Sequence, residues 1–553
     1  MPTLTWIGKQ AVEKHHLEIP YRLLEYDESL SAGDKESGNL LVQGDNLHAL
    51  KALLPYYAGK VKCIYIDPPY NTGNEGWQYN DNVNAPEIKD WLNKVVGSEG
   101  EDLSRHDKWL CMMYPRLQLL KKFLTKDGVI FISIDYNEVH NLRHICDETF
   151  NVNNLLAELI WDLGTGTAAG NFTRSHEYIL CYARNKNRLT NFEYKGEDDI
   201  ISERAVKKIS RGNPASQITF PSGIEYEGES ATFSGTIGKS EKIKIISGEM
   251  IFKDGKLSKP VTLEAGWAMR NQILSWLDGK ETFDSKGQLV TKFFFNKKGV
   301  LQYVKERGFI NPKTIIKIAS TRKGSAMVED ILNKKVFEFP KPMELIRYLI
   351  GLVTNPKDII LDSFSGTGTT GHAVMELNKE DGGNRKFILV ELEEKISKEV
   401  TAERLKRVVH GYTTNKQNGN DDKVEGLGGG FRYCILGEPL FDKFGNVRQS
   451  VKFKELARHI FFSENGVPLS EKAKLNTPLI GTYKGIGYYL LFNGILGDKT
   501  LNGGNVLTSR ILESLPKYNG PKIIFGESNR LSPARLKKEN IVFKQIPYEI
   551  KTS

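Results

Sequence analysis

Short apolar runs and amphipathic runs alternate along residues 39–150 of this chain and again along 343–391, and the long stretch between them does not keep that rhythm. Such alternation commits a chain to a doubly wound α/β sheet, because each parallel strand needs a crossover helix before the next. In the first stretch Leu40-Leu41-Val42 predicts a strand, Leu47 to Tyr57 a helix, and Cys63-Ile64-Tyr65-Ile66 a second strand ending at Asp67. A helix over about Lys108 to Leu124, a turn at Asp127-Gly128, a strand Val129 to Ile134 and a helix over about Asn137 to Phe150 follow. After strands near Leu155 to Trp161 and Tyr178 to Tyr182 the pattern gives way to short β-rich runs, glycines, lysines and aromatics such as Phe293-Phe294-Phe295. The rhythm returns with a helix Met343 to Leu352, a strand Ile359-Ile360-Leu361, a helix Gly371 to Leu377 and a strand Phe387 to Val390. The two stretches therefore read as halves of one sheet, residues 38–184 and 326–412, with an inserted domain at 185–325. An N-terminal extension (1–37) precedes them; a Gly- and Asn-rich linker (413–430) and a C-terminal α/β module (431–553) follow.

Composition narrows the class without naming it. With 39% hydrophobic residues and no apolar run near the roughly 18 residues a bilayer span needs, the chain reads as globular, with no membrane partner. Its first residues lack a secretory pattern, so a cytoplasmic location is expected. Cys63, Cys111, Cys146, Cys181 and Cys434 lie far apart with no C-x-x-C pair, which argues against a disulfide framework and a zinc site. His140 and His144 have the spacing of a helical metal pair but lack a third ligand, and a solvated face is the better reading, so no metal is expected. The net charge of +9 is spread along the chain; it permits a nucleic-acid partner without requiring one.

Two segments carry chemistry. Asp67-Pro68-Pro69-Tyr70 follows a buried strand, at the end where open α/β sheets place their ligands. The prolines fix the backbone and remove two donors, leaving the Pro68 carbonyl able to accept from a ligand; Asp67 adds a carboxylate acceptor and Tyr70 a flat ring. Together they describe a grip on a planar group bearing an amino substituent. The second segment, Asp362-Ser363-Phe364-Ser365-Gly366-Thr367-Gly368-Thr369-Thr370-Gly371, is a glycine-rich turn between strand and helix, and Glu391 ends the next strand. That spacing suits an adenosyl ligand, with Glu391 on ribose hydroxyls. Alone it does not separate a dinucleotide from another adenosyl cofactor, so a Rossmann oxidoreductase is a rival reading.

The combination of D-P-P-Y and F-x-G-x-G resembles the amino-methyltransferases of DNA. The motif order, with a large region between, resembles their β class. Gln43-Gly44-Asp45-Asn46-Leu47, Tyr65 to Asn74 and Phe339-Pro340-Lys341-Pro342 are similar to the modification subunits of type III restriction-modification systems. The resemblance implies a Rossmann-like methyltransferase sheet in circularly permuted order, S-adenosylmethionine as cofactor, and the 6-amino group of adenine in duplex DNA as acceptor; the 4-amino group of cytosine is the alternative. It implies catalytic roles for Asp67, Pro68, Pro69 and Tyr70, and cofactor roles for Asp45, Lys341, Asp362, Phe364, Gly366, Gly368, Thr369 and Glu391. It makes duplex DNA a partner and allows a homodimer and a restriction or other defence subunit beside it. Trp77 and Tyr79 are candidates for closing over the base or wedging into the DNA. Lys207, Lys208, Arg211, Arg270, Lys297 and Lys298 in the insert are candidates for phosphate contact, and Arg530, Arg535, Lys537 and Lys538 near the C-terminus are candidates for gripping DNA or a partner protein.

Overall fold

Continuous apolar strands mark a sheet covered on both faces, and the strand Val61–Ile66 is the clearest case: all six of its residues are buried. A computed structural model describes residues 3–72, 105–169, 171–195, 200–202, 205–239, 241–285, 287–306, 309–337, 339–414, 422–470, 472–498, 503–548 and 550. Trp77 and Tyr79 lie outside the described residues. The chain divides into two compact units, residues 1–190 with 313–553, and residues 191–312.

In the first unit the strands are β1 (Arg22–Gly33), β2 (Leu40–Gln43), β3 (Val61–Ile66), β4 (Leu124–Ile134), β5 (Leu155–Ala169), β6 (Phe172–Ala183), β7 (Ile315–Ile316), β8 (Ile359–Asp362), β9 (Lys386–Glu391) and β10 (Gly430–Pro439). They form one sheet in the order β1-β10-β2-β9-β8-β3-β4-β6-β5-β7. The strands from β10 to β4 run parallel, while β6 lies antiparallel to both β4 and β5. The helices include α1 (Asn46–Tyr57), α2 (Arg105–Phe123), α3 (Val139–Phe150), α4 (Thr321–Leu332), α5 (Met343–Val353) and α6 (Thr369–Asp381). In α5 the buried residues Leu345, Ile346, Leu349, Ile350 and Val353 fall on one face, the helical spacing that lets it lie on a sheet.

The decisive pairing is β8 beside β3, with Leu361 opposite Ile64. Two segments separated by most of the chain thus become neighbouring parallel strands. From β8 the chain crosses to β9 on one side; from β3 it crosses to β4 on the other. The strand order reverses between β8 and β3, and a doubly wound sheet opens a crevice at such a point. Because β3 precedes β8 in the chain, the sheet is circularly permuted, as the motif order implies.

Two segments lie elsewhere than the sequence boundaries suggest. The strand directly after the glycine-rich linker is β10, which sits inside the main sheet between β1 and β2 rather than opening a separate module at 431. β1, within the N-terminal extension, closes that edge. A helix α7 (Phe453–Asn465) buries Phe453, Leu456, Ile460 and Phe461 in the same apolar cluster as Leu50, Leu53 and Leu54 of α1. Beyond it, β11 (Leu479–Tyr483), β12 (Ile486–Leu490), β13 (Lys522–Gly526) and β14 (Ile541–Gln545) form a mixed four-stranded sheet. All five cysteines are buried free thiols.

The second unit is mainly β, with five- and seven-stranded sheets around an aromatic cluster that includes Phe220, Phe252, Trp267, Phe293 and Phe295. The aromatics that punctuate this region are therefore core, whereas Lys207, Lys208, Arg211, Arg270, Lys297 and Lys298 are exposed. Residues 313–325 belong with the first unit, through β7 on β5 and the start of α4.

Since β10 covers the hydrogen-bonding edge of β2, a chain ending at residue 412 exposes that edge and loses the apolar face of α7. Its expected behaviour is aggregation on expression, read as loss from the soluble fraction relative to the full chain.

Candidate active site

The crevice between β3 and β8 is a cleft walled by Asp67, Pro68, Pro69 and Tyr70 on one side and by Asp362, Phe364, Ser365, Gly366, Thr367 and Thr369 on the other. Phe337, Phe339, Pro340 and Lys341 complete its wall. The two motifs that the sequence holds about 300 residues apart thus face one another across a single cleft.

On the β3 side the backbone is fixed from behind. The Trp109 indole of α2 donates to the Pro69 carbonyl at 2.7 Å, while among the described residues no donor sits on the Pro68 carbonyl. Asn71 follows in a left-handed conformation (φ 56°), its buried amide donating to Glu138 and to the Arg105 carbonyl. Lys341 donates to Asp67 Oδ2 at 2.8 Å and lies 3.6 Å from Glu177 Oε2. The same Glu177 oxygen accepts the Tyr70 hydroxyl at 2.8 Å, and the Lys341 ammonium stands 4.8 Å from the Tyr70 ring centroid. Asp67 Oδ1 is buried with no hydrogen-bond partner among the described residues. Burial and the nearby carboxylates of Asp67 and Glu177 raise the Tyr70 phenol well above its ordinary range, so it remains a donor.

Glu177 is the residue that sequence reasoning missed. It lies in β6, one residue before the Tyr178–Tyr182 strand, and a single carboxylate within a strand pattern carries no sequence signal of its own. Only the antiparallel return of β6 beside β4 brings it to Tyr70 and Lys341.

On the β8 side the loop is built from glycines where a side chain would not fit. Gly366 and Gly368 have φ of 48° and 76°, and a Cβ on Gly368 would lie 2.9 Å from Thr401 Cγ2. Glu391 does not wall the cleft; its carboxylate accepts the backbone N–H groups of Gly366 at 2.8 Å and Glu393 at 3.1 Å, holding the loop from behind. Beneath the loop the buried Arg404 guanidinium donates to the hydroxyls of Thr367 (2.9 Å) and Thr369 (2.8 Å). Desolvation lowers its pKa to about 10, still far above neutrality. Asp362 accepts from the Thr370 hydroxyl at 2.5 Å and the Phe364 N–H at 3.0 Å. Burial outweighs these bonds and raises its pKa to about 7.

Two of the residues singled out by resemblance have other partners. Asp45 does not wall the cleft: one oxygen caps α1 at the His48 N–H (3.0 Å) and the other pairs with buried Arg116 (2.9 Å). Lys341 walls the cleft, but its ammonium is directed to Asp67 and Glu177.

A family model described as a DNA methylase of the N6/N4 type matches residues 61–403. The chain belongs to this DNA methylase family. It is 32% identical over 468 residues to the EcoPI Mod subunit of a type III restriction-modification enzyme from Escherichia phage P1, covering 75% of this chain and 69% of the relative. To the StyLTI Mod subunit from Salmonella typhimurium it is 29% identical over 463 residues, covering 76% and 64%. To the type II methyltransferase M.KpnI of Klebsiella pneumoniae it is 29% identical over 384 residues, covering 67% and 84%. A solved M1.HpyAVI–SAM complex is 13% identical and covers 66% of this chain and 98% of its own, at a TM-score of 0.30, which carries no argument. The chain is thus an S-adenosylmethionine-dependent DNA methyltransferase of the N6/N4 type, and among its described residues no helix is long and apolar enough to cross a membrane.

The cleft fits that cofactor. The hydroxyl oxygens of Ser363 and Ser365, flanking Phe364, are buried without a hydrogen-bond partner among the described residues, as expected of groups that a polar ligand completes. Gly366 walls the cleft without a side chain, and Gly368 lets the loop pack closely on Thr401.

Asp362 provides a pH test. A carboxyl whose folded pKa is raised binds its proton more tightly folded than unfolded, so its contribution is fully present below about pH 4 and is lost as pH rises to about 7. Asp362→Asn should therefore match the native chain in thermal midpoint near pH 4–5. It should gain on it toward pH 8, by an amount on the order of a few kcal/mol.

Proposed function

We propose that this methyltransferase modifies the 6-amino group of adenine in duplex DNA, with Asp67 and Pro68 as the acceptors that hold the amine. The observation that carries the reading is a pair of acceptors on one strand end, Asp67 Oδ1 and the Pro68 carbonyl, that have no partner among the described residues. An exocyclic amine has two protons to give them. Its lone pair is conjugated with the ring, and donating both protons favours a more tetrahedral, more nucleophilic nitrogen. Lys341 holds the other Asp67 oxygen, so Oδ1 is fixed in place before the base arrives. Tyr70, anchored through its hydroxyl to Glu177, offers its face for stacking, worth roughly 1–3 kcal/mol against the few that extrusion costs.

The cofactor, when bound, supplies an electrophilic methyl group on sulfur. Ser363, Phe364, Ser365, Gly366 and Gly368 would hold it, with Glu391 and Asp362 ordering the loop and Thr369 opening α6 at its rim. Adenine is favoured over cytosine because the motif begins with Asp67, the residue that in the family it resembles accompanies adenine, and because its text is similar to the type III modification subunits. On the same grounds we assign residues 185–325 to target recognition, and the chain to a cytoplasmic restriction-modification or defence system in which a second copy and a restriction subunit are partners.

Asp67→Ala should lower the methyl-transfer rate on the order of a hundred- to a thousandfold, the usual effect of removing a positioned polar group from an active site. The thermal midpoint should stay close to native, because Lys341 retains Glu177. Near-normal turnover by the folded variant would sink the assignment. The acceptor is tested by supplying cofactor with a labelled methyl group to mixed-sequence duplex DNA and separating the digested nucleosides: label is expected in 6-methyladenine. Label in 4-methylcytosine would overturn the base, and transfer to RNA alone would overturn the substrate. Sequencing methylated positions in host DNA, with and without this chain, supplies the target site.

A further inference from the structure

Extruding a base from a duplex leaves a hole in the stack, and an apolar side chain that fills it recovers part of what unstacking costs. The phenylalanines described in the cleft wall, Phe337, Phe339 and Phe364, stand where the extruded base and the cofactor would lie. The β5–β6 hairpin presents an apolar side chain next to the cleft.

β6 runs antiparallel to β4, with Tyr178 opposite Ile134, the last residue of β4. The six residues before Tyr178, 172–177, therefore continue past the end of β4, a strand path of at most about 20 Å at 3.3–3.4 Å per residue. The part beyond the Arg174 contact, Thr173 and Phe172, spans about 7 Å of strand, close to the depth of either groove of B-form DNA, about 8 Å. β6 stands two strands from β3, roughly 10 Å away, a separation on the scale of one extruded nucleotide.

The neck of the hairpin is pinned. The Arg174 guanidinium lies 3.7 Å from the Tyr136 ring centroid and 3.7 Å from Asp135 Oδ2, and Lys317 pairs with Asp162 at 3.4 Å. Above the neck the pairing is irregular: Asp162 faces His176 but Thr167 faces Arg174, which bends the strand. From Leu163 to Ser175 the only charged residue is Arg174, so no carboxylate opposes the phosphates. At the far end Phe172, paired with Ala169, is 85% exposed, the most exposed large apolar residue among the described residues.

We propose that the β5–β6 hairpin enters a groove of the DNA substrate and that Phe172 occupies the space left by the extruded adenine. The inference rests on duplex DNA being the substrate. Its test uses three duplexes of the target site mapped above: one fully paired, one with an abasic site opposite the target adenine, and one with 2-aminopurine replacing that adenine. Phe172→Ala should keep the native thermal midpoint and still bind the paired duplex. Its kcat/KM there should fall by roughly tenfold or more, and most of the 2-aminopurine fluorescence rise should disappear. On the abasic duplex, where no pair opposes extrusion, its rate should return to within about twofold of the native enzyme. Phe172→Trp should keep activity on both. Undiminished turnover of Phe172→Ala on the paired duplex would overturn the inference, as would an equal loss on paired and abasic duplexes. Failure of the native enzyme on the paired duplex would instead strike the adenine-DNA reading, a separate result.

Discussion

The hydrogen-bonded pairing of β8 with β3 is the constraint on which the rest of the molecule depends. It sets the carboxyl ends of two strands side by side, one carrying Asp67-Pro68-Pro69-Tyr70 and the other Asp362 and its glycine turn. Neither motif has a function without the other: the first offers acceptors to an amine, the second a cradle for an adenosyl group. Because side chains alternate along a strand, a slip of one residue would turn Ile64 and Leu361 to the opposite faces. The buried faces of both strands hold the register, and the register holds the reaction geometry.

Charge is arranged around this pairing with unusual economy. One ammonium, Lys341, serves Asp67, Glu177 and the Tyr70 face together, so the groups that would meet a base are coupled to one another. Across the cleft, Asp362 has no cation in contact among the described residues and accepts from hydroxyl and backbone donors, and burial draws its titration toward neutrality. Below the loop, Arg404 makes the converse arrangement, a buried cation whose contacts include the hydroxyls of Thr367 and Thr369.

Much of this was legible in the sequence because periodicity survives where burial is complete. Val61–Ile66, Ile359–Asp362 and α5 are apolar at the spacing their geometry demands, and the insertion announces itself by breaking the rhythm. Legibility fails in three places for three reasons. β10 follows a glycine-rich stretch that reads as a domain boundary, and nothing local to Gly430–Pro439 states that its partners are β1 and β2. The outer halves of β5 and β6 overhang the sheet, so no apolar alternation marks them, and the sequence shows only Leu155–Trp161 and Tyr178–Tyr182. Asp45 and Lys341 were readable as polar residues near a site, but which oxygen or cation they meet is decided by α1, Arg116 and Glu177, which are distant in sequence.

The permuted order of the strands also shapes how the chain is made. β3 gains β4 soon after it is synthesised, yet its other edge waits for β8, about 290 residues later. At about 5–20 residues per second that interval is roughly 15 to 60 s. Throughout it a strand that is wholly buried in the finished fold stands with one row of amides and carbonyls unpaired while the second unit is being synthesised. The last partner of β2 is later still, because β10 begins only at Gly430. A nascent chain of this design has an open template at its centre for the whole of that time, and its yield in the cell depends on what shields that edge until residue 359 emerges.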